Sequence, residues 1–562
     1  MLLLRRNLTL GLSRSDHSIS KLTFMKKLLL IAFLTVLTSK AQVLTGQRAY
    51  TRADTLRGSL RTERNFDVKK YHLDITVHPA KKFINGSNTI EFIPHENLST
   101  IQIDLFDNMN VDSITHHGKQ LNYIREFNAV FINGNFKKGA KDRIVFYYSG
   151  NPIIAKRAPW DGGFVFTKDA NGNDWIATAC QGTGASLWWP NKDHQSDEPE
   201  EGMSIKVAVP NGLMNVSNGR FKGNKDLGNG FTRWDWEVRN PINNYDVALN
   251  IGDYVHFGET YKGLDLDYYV LRYNLDKAKI QFEEVKPMMD CFQEKFGQYP
   301  FKEDGYKLVE TPHLGMEHQS AVAYGNKYKK GYMGSDLSGT GVGLKWDFII
   351  IHETGHEWFG NSLTSSDIAD MWIHESFTAY SENVYTECRW GYEDGQKYVN
   401  GTAKMIQNDI PIIGDYGVNS EGSGDMYYKG ALMLNTIRHI IDNDTKWWTI
   451  LRSYAEHFKH QIISTKDVVD YFEKESGLKL KPVFDQYLRY TKIPTLEIQQ
   501  DGKDILYRWN ADVANFNMPV DVSLQSEPKR LTPTTKWKKL KKSRVDDLKV
   551  MTSEFYINVK RM

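Results

Sequence analysis

The sequence predicts a multidomain α+β protein: an all-β region first, a mainly helical region next, and a small β module at the end. Three observations predict it. Between about Asn65 and His256 apolar and polar residues alternate with period two; from about Lys277 the apolar spacing becomes helical; after Pro494 the alternation returns. At 562 residues the chain is too long for one hydrophobic core, so several domains are expected. No internal repeat of solenoid length is present.

The elements follow in order. Residues 1–24 carry Arg5, Arg6 and Arg14 and read as an upstream extension, with Met25 a candidate start. From Met25 the chain runs "MKKLLLIAFLTVLTSKAQ": two lysines, an apolar stretch from Leu28 to Leu37, then Ser39-Lys40-Ala41. This is the pattern of a secretory signal peptide over 25–41, and the apolar stretch is too short to span a bilayer. The expectation is an exported protein, periplasmic or secreted, without a stable membrane anchor. Residues 42–62 read as a linker. Across 63–256, "YHLDITV" (71–77), "IQIDLF" (101–106) and "DRIVFYYSG" (142–150) read as strands, with Asn85-Gly86 and Asn133-Gly134 as turns. Across 257–492, "AKIQFEEVKPMMDCFQEKFG" (278–297), "LKWDFIIIHETGHEWFG" (344–360) and "DMWIHESFTAYSE" (370–382) read as helices. Across 493–562, "TLEIQ" and "ILYRW" flank Asp501-Gly502, a hairpin signal.

Charge and cysteines narrow the partners little. Lys+Arg number 71 and Asp+Glu 69, which favours neither nucleic acid nor an anionic surface. The basic cluster "KWKKLKKSR" (536–544) reads as a solvated strand edge, where lysines discourage pairing, and no nucleic-acid partner is expected. Only Cys180, Cys291 and Cys388 are present, so at most one pair can form, and the sequence does not choose it.

Chemistry concentrates in "IHETGHEWFGN" (351–361). On a helix, His352 and His356 lie one turn apart on one face and can direct ring nitrogens at one ion. Glu353, rotated about 100° from His352, can reach a water rather than the ion. Catalytic zinc takes three protein ligands. Glu375, in the apolar context of "DMWIHESFTAYSE", is a candidate third, because a buried carboxylate needs a partner. Asp367 and Asp370 compete for that place.

These strings resemble the M1 aminopeptidases. His352-Glu353-Thr354-Gly355-His356, then eighteen residues, then Glu375 matches that family's zinc signature. "HETGHEWFGN" is similar to its H-E-x-x-H-x-W-F-G-N and "WIHESFTAYSE" to its W-L-N-E-G-F-A-x-Y-x-E. "LGMEHQSAVAYG" (314–325) and "YYKGALML" (427–434) resemble its G-x-M-E-N and Y-x-K-G-A segments, in the expected order. The resemblance implies a saddle-like N-terminal β domain, a thermolysin-like catalytic domain and a small C-terminal β-sandwich. It implies one zinc ion per chain on His352, His356 and Glu375, with Glu353 as general base and then acid. Tyr427 becomes the oxyanion donor, Tyr428 taking that place only if the register shifts. Glu317 would anchor the substrate's free α-amine, and Gly315 and Met316 would form the strand edge that pairs with its backbone. Glu382 is a candidate to orient a zinc histidine, or a solvated helix-face acid.

There are departures. Leu314 stands where the family has glycine and His318 where it has asparagine; His374 and Ser376 flank the third ligand. In "CQGTGASLWWPNKDHQSDEP" (180–199) Gln181 matches the family's substrate-binding segment, but Thr183 replaces its second amine-binding acid. The chain continues only about 70 residues past the catalytic region, without the large helical domain of many relatives, and the expectation is either a more open site or an insert-poor, self-closing cleft. The function implied is a zinc aminopeptidase acting on peptides with a free N-terminus. Competing readings are a zinc hydrolase without that requirement, such as an endopeptidase or epoxide hydrolase, and an inactive binding protein.

Overall fold

The computed structural model describes residues 49–562. The extension at 1–24, the signal peptide at 25–41 and residues 42–48 lie outside the described residues. No helix among the described residues is long and apolar enough to cross a membrane.

The N-terminal region is built on an eight-stranded sheet. Its central strand, Phe66–His78, runs antiparallel to Phe83–Pro94 on one side and parallel to Met203–Pro210 on the other. Tyr71, Leu73, Ile75 and Val77 are buried while the residues between them face outward, which is the alternation that marked 71–77. A bulge between Val68 and Lys70 shifts the register so that Phe66 and Val68 stay on the buried face. The strand expected at 142–150 spans Asp142–Gly150, and that expected at 101–106 spans Leu98–Asp104. Smaller sheets of four and three strands complete this core.

Part of the segment read as a linker is structured. Arg52–Gly58 is a helix whose Leu56 is 2% exposed. Gln102 Nε2 donates to the Leu56 carbonyl at 2.9 Å, and Arg57 pairs with Asp193 at 3.4 Å. One buried leucine in a charged heptapeptide leaves no periodicity to read.

The next sheet has five strands: β1 (Tyr254–Tyr261), β2 (Leu264–Leu271), β3 (Tyr306–Glu310), β4 (Gly315–Met316) and β5 (Val322–Tyr324), in the spatial order β1-β2-β3-β5-β4. β1 runs across the boundary drawn at 256/257. β4 is the sheet's edge, the position expected for Gly315 and Met316.

Helices fill the middle region. The helix expected over 278–297 is two, Leu275–Gln281 and Val285–Phe296, joined by a 3-10 turn over Phe282–Glu284. Pro287 enforces this, since it lacks an N–H and its ring crowds the carbonyl four residues back. The helix expected over 344–360 is shorter: α1 is Phe348–Gly355. Asp347 starts it by accepting from the N–H groups of Ile349 and Ile350 at 3.1 and 3.4 Å. Beyond His356 the chain turns out of the helix and reaches Gly360, at φ 134°, where a side chain would meet the His356 ring. The helix read at 370–382 is α2, Trp372–Trp390, closed by Gly391 at φ 91°. α3 is Tyr428–Ile441.

Cys291, on Val285–Phe296, and Cys388, near the end of α2, form a disulfide across 97 residues of sequence; Cys180 is free and buried. Closing a loop of this length restricts the unfolded chain by about 4–5 kcal/mol. The paired change Cys291→Ser/Cys388→Ser is therefore expected to lower the denaturation temperature, and reductant to do the same to the wild type. Coincident melting curves with and without reductant would show that the bond contributes no stability.

C-terminally, a four-stranded sheet contains the expected hairpin, Thr495–Asp501 with Asp504–Asn510, and a three-stranded sheet lies beside it in sequence. Lys538–Leu540, from the basic cluster, is an edge strand. Leu496, Ile498, Val520 and Val522 belong to the same buried cluster as Ile350 and Trp372, so this module shares the helical region's core.

Candidate metal and active site

α1 and α2 pack together and bring His352, His356 and Glu375 to one point; all three are at least 94% buried. His352 Nε2 lies 3.8 Å and His356 Nε2 3.4 Å from the same Glu375 oxygen, Oε2. The remaining ring nitrogens are already engaged. His352 Nδ1 is 2.7 Å from Glu382 Oε1, and Tyr398 OH donates to Glu382 Oε2 at 2.6 Å. His356 Nδ1 donates to the Phe359 carbonyl at 3.0 Å. A carboxylate or carbonyl partner keeps the proton on Nδ1, so each Nε2 presents a lone pair towards Glu375. Glu382 is thus a buried orienting residue, not a solvated acid.

The residues fit a cation on an observation of their own: Glu375 Oε2 is buried without a hydrogen-bond partner. An orphaned carboxylate oxygen facing two imidazole nitrogens is a two-nitrogen, one-oxygen donor set of the kind zinc takes, with a position left open. The alternatives for the third place are otherwise occupied. Asp367 accepts from the N–H groups of Ala369 and Gly417, and Asp370 from Tyr416 and Thr465.

Around this cluster lies a cavity of about 590 Å³ lined by Gln181, Glu317, Glu353, Glu421, Tyr427 and Trp160 among others. Burial raises the Glu353 carboxyl to about 7; Glu317 and Glu375 push the same way, against His352 and His356. Burial pushes Glu375 up as well, but the two histidines hold it below the usual carboxylate range. Gly315, on the edge strand β4, is required by proximity: a Cβ there would come within 2.8 Å of Glu353 Oε1.

Glu317, 3% exposed, is held by two side chains from the N-terminal β region. Gln181 Nε2 and Tyr245 OH both donate to its Oε1, the latter at 3.1 Å, and Asn361 Nδ2 donates to its backbone carbonyl at 2.7 Å. Tyr245 was not singled out from the sequence. It lies 72 residues before Glu317, and no local pattern marks it.

Tyr427 occupies the N-cap of α3 rather than a helical turn. Its ring stacks beside His352 with centroids 6.0 Å apart, and its hydroxyl lies against Glu375. Tyr428 does not point away, as a helical register would require; it lines the same cavity. Ser376 Oγ donates to the Met426 carbonyl at 2.6 Å and so fixes the residue before Tyr427. His374 accepts from the Ser365 N–H at 2.8 Å, and burial drops its pKa to about 3. Both departures beside the third ligand are therefore structural. Thr183 Oγ1 accepts from the Gly162 N–H at 3.0 Å and forms part of the cavity wall.

Residues 280–487 match the sequence model of the Peptidase family M1 domain. The chain is 26% identical over 328 residues to aminopeptidase N of Streptomyces lividans, covering 53% of this chain and 36% of that protein. It is 23% identical over 345 residues to tricorn protease-interacting factor F2 of Thermoplasma volcanium, covering 59% and 42%. The chain thus spans less than half the length of these relatives. Among solved structures, the M1 zinc metallopeptidase of Deinococcus radiodurans superposes with a TM-score of 0.64 at 19% identity, covering 76% of this chain and 94% of that one. A mutant of that protein bound to a Tyr-Ser-Ala substrate gives 0.63 at 20% identity. At these identities the likeness is one of fold. The helix pair that carries His352, His356 and Glu375 lies within the stretch, residues 280–487, that matches the Peptidase family M1 domain model.

Proposed function

We propose that this protein is a zinc-dependent aminopeptidase that hydrolyses the N-terminal bond of peptides with a free α-amine. The observation that carries the reading is the buried Glu317 carboxylate, fixed at the cavity wall beside the metal cluster by Gln181 and Tyr245. His352, His356 and Glu375 hold the zinc, which when bound supplies the Lewis acidity that makes a water in the cleft nucleophilic near neutral pH and polarises the scissile carbonyl. Glu317 receives the substrate's α-ammonium through a charge-assisted bond, and the edge strand at Gly315 and Met316 pairs with its backbone. Glu353 takes the proton of the attacking water and passes it to the leaving amine. Tyr427 donates to the developing oxyanion.

The family match at 280–487 and the aminopeptidases among the relatives support this reading. The single acid at the amine position, with threonine at 183, favours a weaker dependence on the free amine and hence the zinc endopeptidase alternative. The two separate on one comparison. Glu317→Ala is expected to lower kcat/KM on free aminoacyl-nitroanilides by about 10- to 100-fold, the worth of a hydrogen bond to a charged group, while N-blocked substrates stay poor for both proteins. Equal cleavage of blocked and free substrates by the wild type would transfer the reading to the endopeptidase.

The reading extends to the rest of the chain. The N-terminal region corresponds to the saddle-like β domain, and the two C-terminal sheets to a β-sandwich, supported by Leu496 and Ile498 of one sheet and Val520 and Val522 of the other sharing one buried cluster. Export is supported by the Cys291–Cys388 bond, since disulfides persist in oxidising compartments.

A further inference from the structure

The cavity contains a carboxylate that neither the metal cluster nor the amine anchor uses. Glu421 lies on the segment between Met405 and Met426, which is tied down along its length. Asp425 accepts from the N–H groups of Gln407 and Asn408 at 2.8 and 2.6 Å, Ser423 N donates to the Pro411 carbonyl at 2.9 Å, and Gly414 N donates to Ala369 at 3.0 Å. Two residues before Glu421, Asn419 Nδ2 donates to the Gly182 carbonyl at 3.4 Å. This segment therefore sits beside Gln181-Gly182-Thr183, at the end of the cavity where Gln181 holds Glu317.

The surroundings of Glu421 are those of an anion awaiting a counter-charge. The residue is exposed to the cavity. Enough protein surrounds its carboxyl for burial to raise its pKa, Glu375 adds to the rise, and no cation offsets them. Met405, Met426 and Tyr428 line the same cavity. Apolar walls with one carboxylate beyond those of the metal cluster, the general base and the amine anchor suit a long side chain that is aliphatic along its stem and cationic at its tip.

We propose that Glu421 is a specificity-determining residue that receives the side-chain cation of a lysine or arginine at the substrate's N-terminal position. The inference rests on the aminopeptidase reading: with the α-ammonium on Glu317 and the scissile carbonyl at the metal cluster, the first side chain has to enter the walls of this cavity. A lysine or arginine there completes a charge-assisted bond with Glu421. A neutral side chain of equal length fills the same volume and leaves the carboxylate unpaired, and an acidic one is repelled.

The test uses the zinc-loaded full chain and aminoacyl-coumarin substrates in matched pairs, lysine against norleucine and arginine against citrulline. Wild type is expected to favour the cationic member by about 10- to 100-fold in kcat/KM. Glu421→Gln should collapse that ratio towards one, and Glu421→Lys should invert it in favour of a glutamyl substrate, with melting temperature confirming that each variant is folded. Equal ratios in wild type and Glu421→Gln, with norleucine and leucine substrates still cleaved, overturn the proposal and leave the aminopeptidase reading standing. Absence of hydrolysis of any free aminoacyl substrate by zinc-loaded wild type overturns both.

Discussion

Glu353→Gln is expected to lower kcat by about 10³- to 10⁴-fold, the upper range for loss of a general acid–base group, without releasing the metal. Glutamine keeps the size of the side chain, and so its close packing on Gly315, but cannot take up a proton. The wild-type carboxyl, only 8% exposed and raised to about 7 by burial, is matched to accept a proton from water and return it to an amine near neutral pH. His352, His356 and Glu375 are untouched, so zinc content by mass spectrometry should remain at one per chain. A variant within tenfold of wild type would assign the proton transfers elsewhere. A variant without metal would mean that Glu353 contributes to holding the ion.

Tyr427→Phe is expected to cost about 10²- to 10³-fold in kcat with little change in KM, the usual consequence of losing one oxyanion donor. Burial raises the tyrosine's pKa well above its ordinary value, with Glu375 and Glu317 adding to the rise. The hydroxyl consequently stays protonated across the working pH range and remains a donor. The hydrogen bond it makes strengthens only as charge develops on the carbonyl oxygen, which is why kcat and not KM carries the loss. Since Tyr428 lines the same cavity, Tyr428→Phe is the informative comparison. It should be the milder change, and the opposite order would make Tyr428 the donor.

The metal centre is legible in the sequence where its parts are local. His352 and His356 are fixed by one helical turn, which spacing shows; Glu375 is separated from Asp367 and Asp370, and Glu382 from a solvated acid, only by the family resemblance and then by the packing of α1 on α2. α1 is shorter than its apolar run suggests because its limits are set by two single residues, the Asp347 cap and the turn at Gly360, and not by periodicity. The amine anchor is legible only in half. Glu317 announces itself by its motif, but Tyr245 reaches it across 72 residues and packs with Met316 and Ala323, a relation that no window of sequence contains. Glu421 is hidden for the same reason, since its place depends on Asn419 meeting Gly182 across 237 residues. The helix at Arg52–Gly58 is missed because one leucine cannot display a period.

The hold of Gln181 and Tyr245 on Glu317 has a consequence for how such an enzyme can diversify. The residues assigned to bond cleavage in the proposed function all come from the helical region, while two of the side chains that position the proposed amine anchor are contributed by the β region. The setting of the amine anchor and the hydrolytic chemistry are therefore carried by separate stretches of coding sequence. Drift in the β region can retune which peptide ends are accepted, in small steps, while the hydrolytic centre is inherited intact.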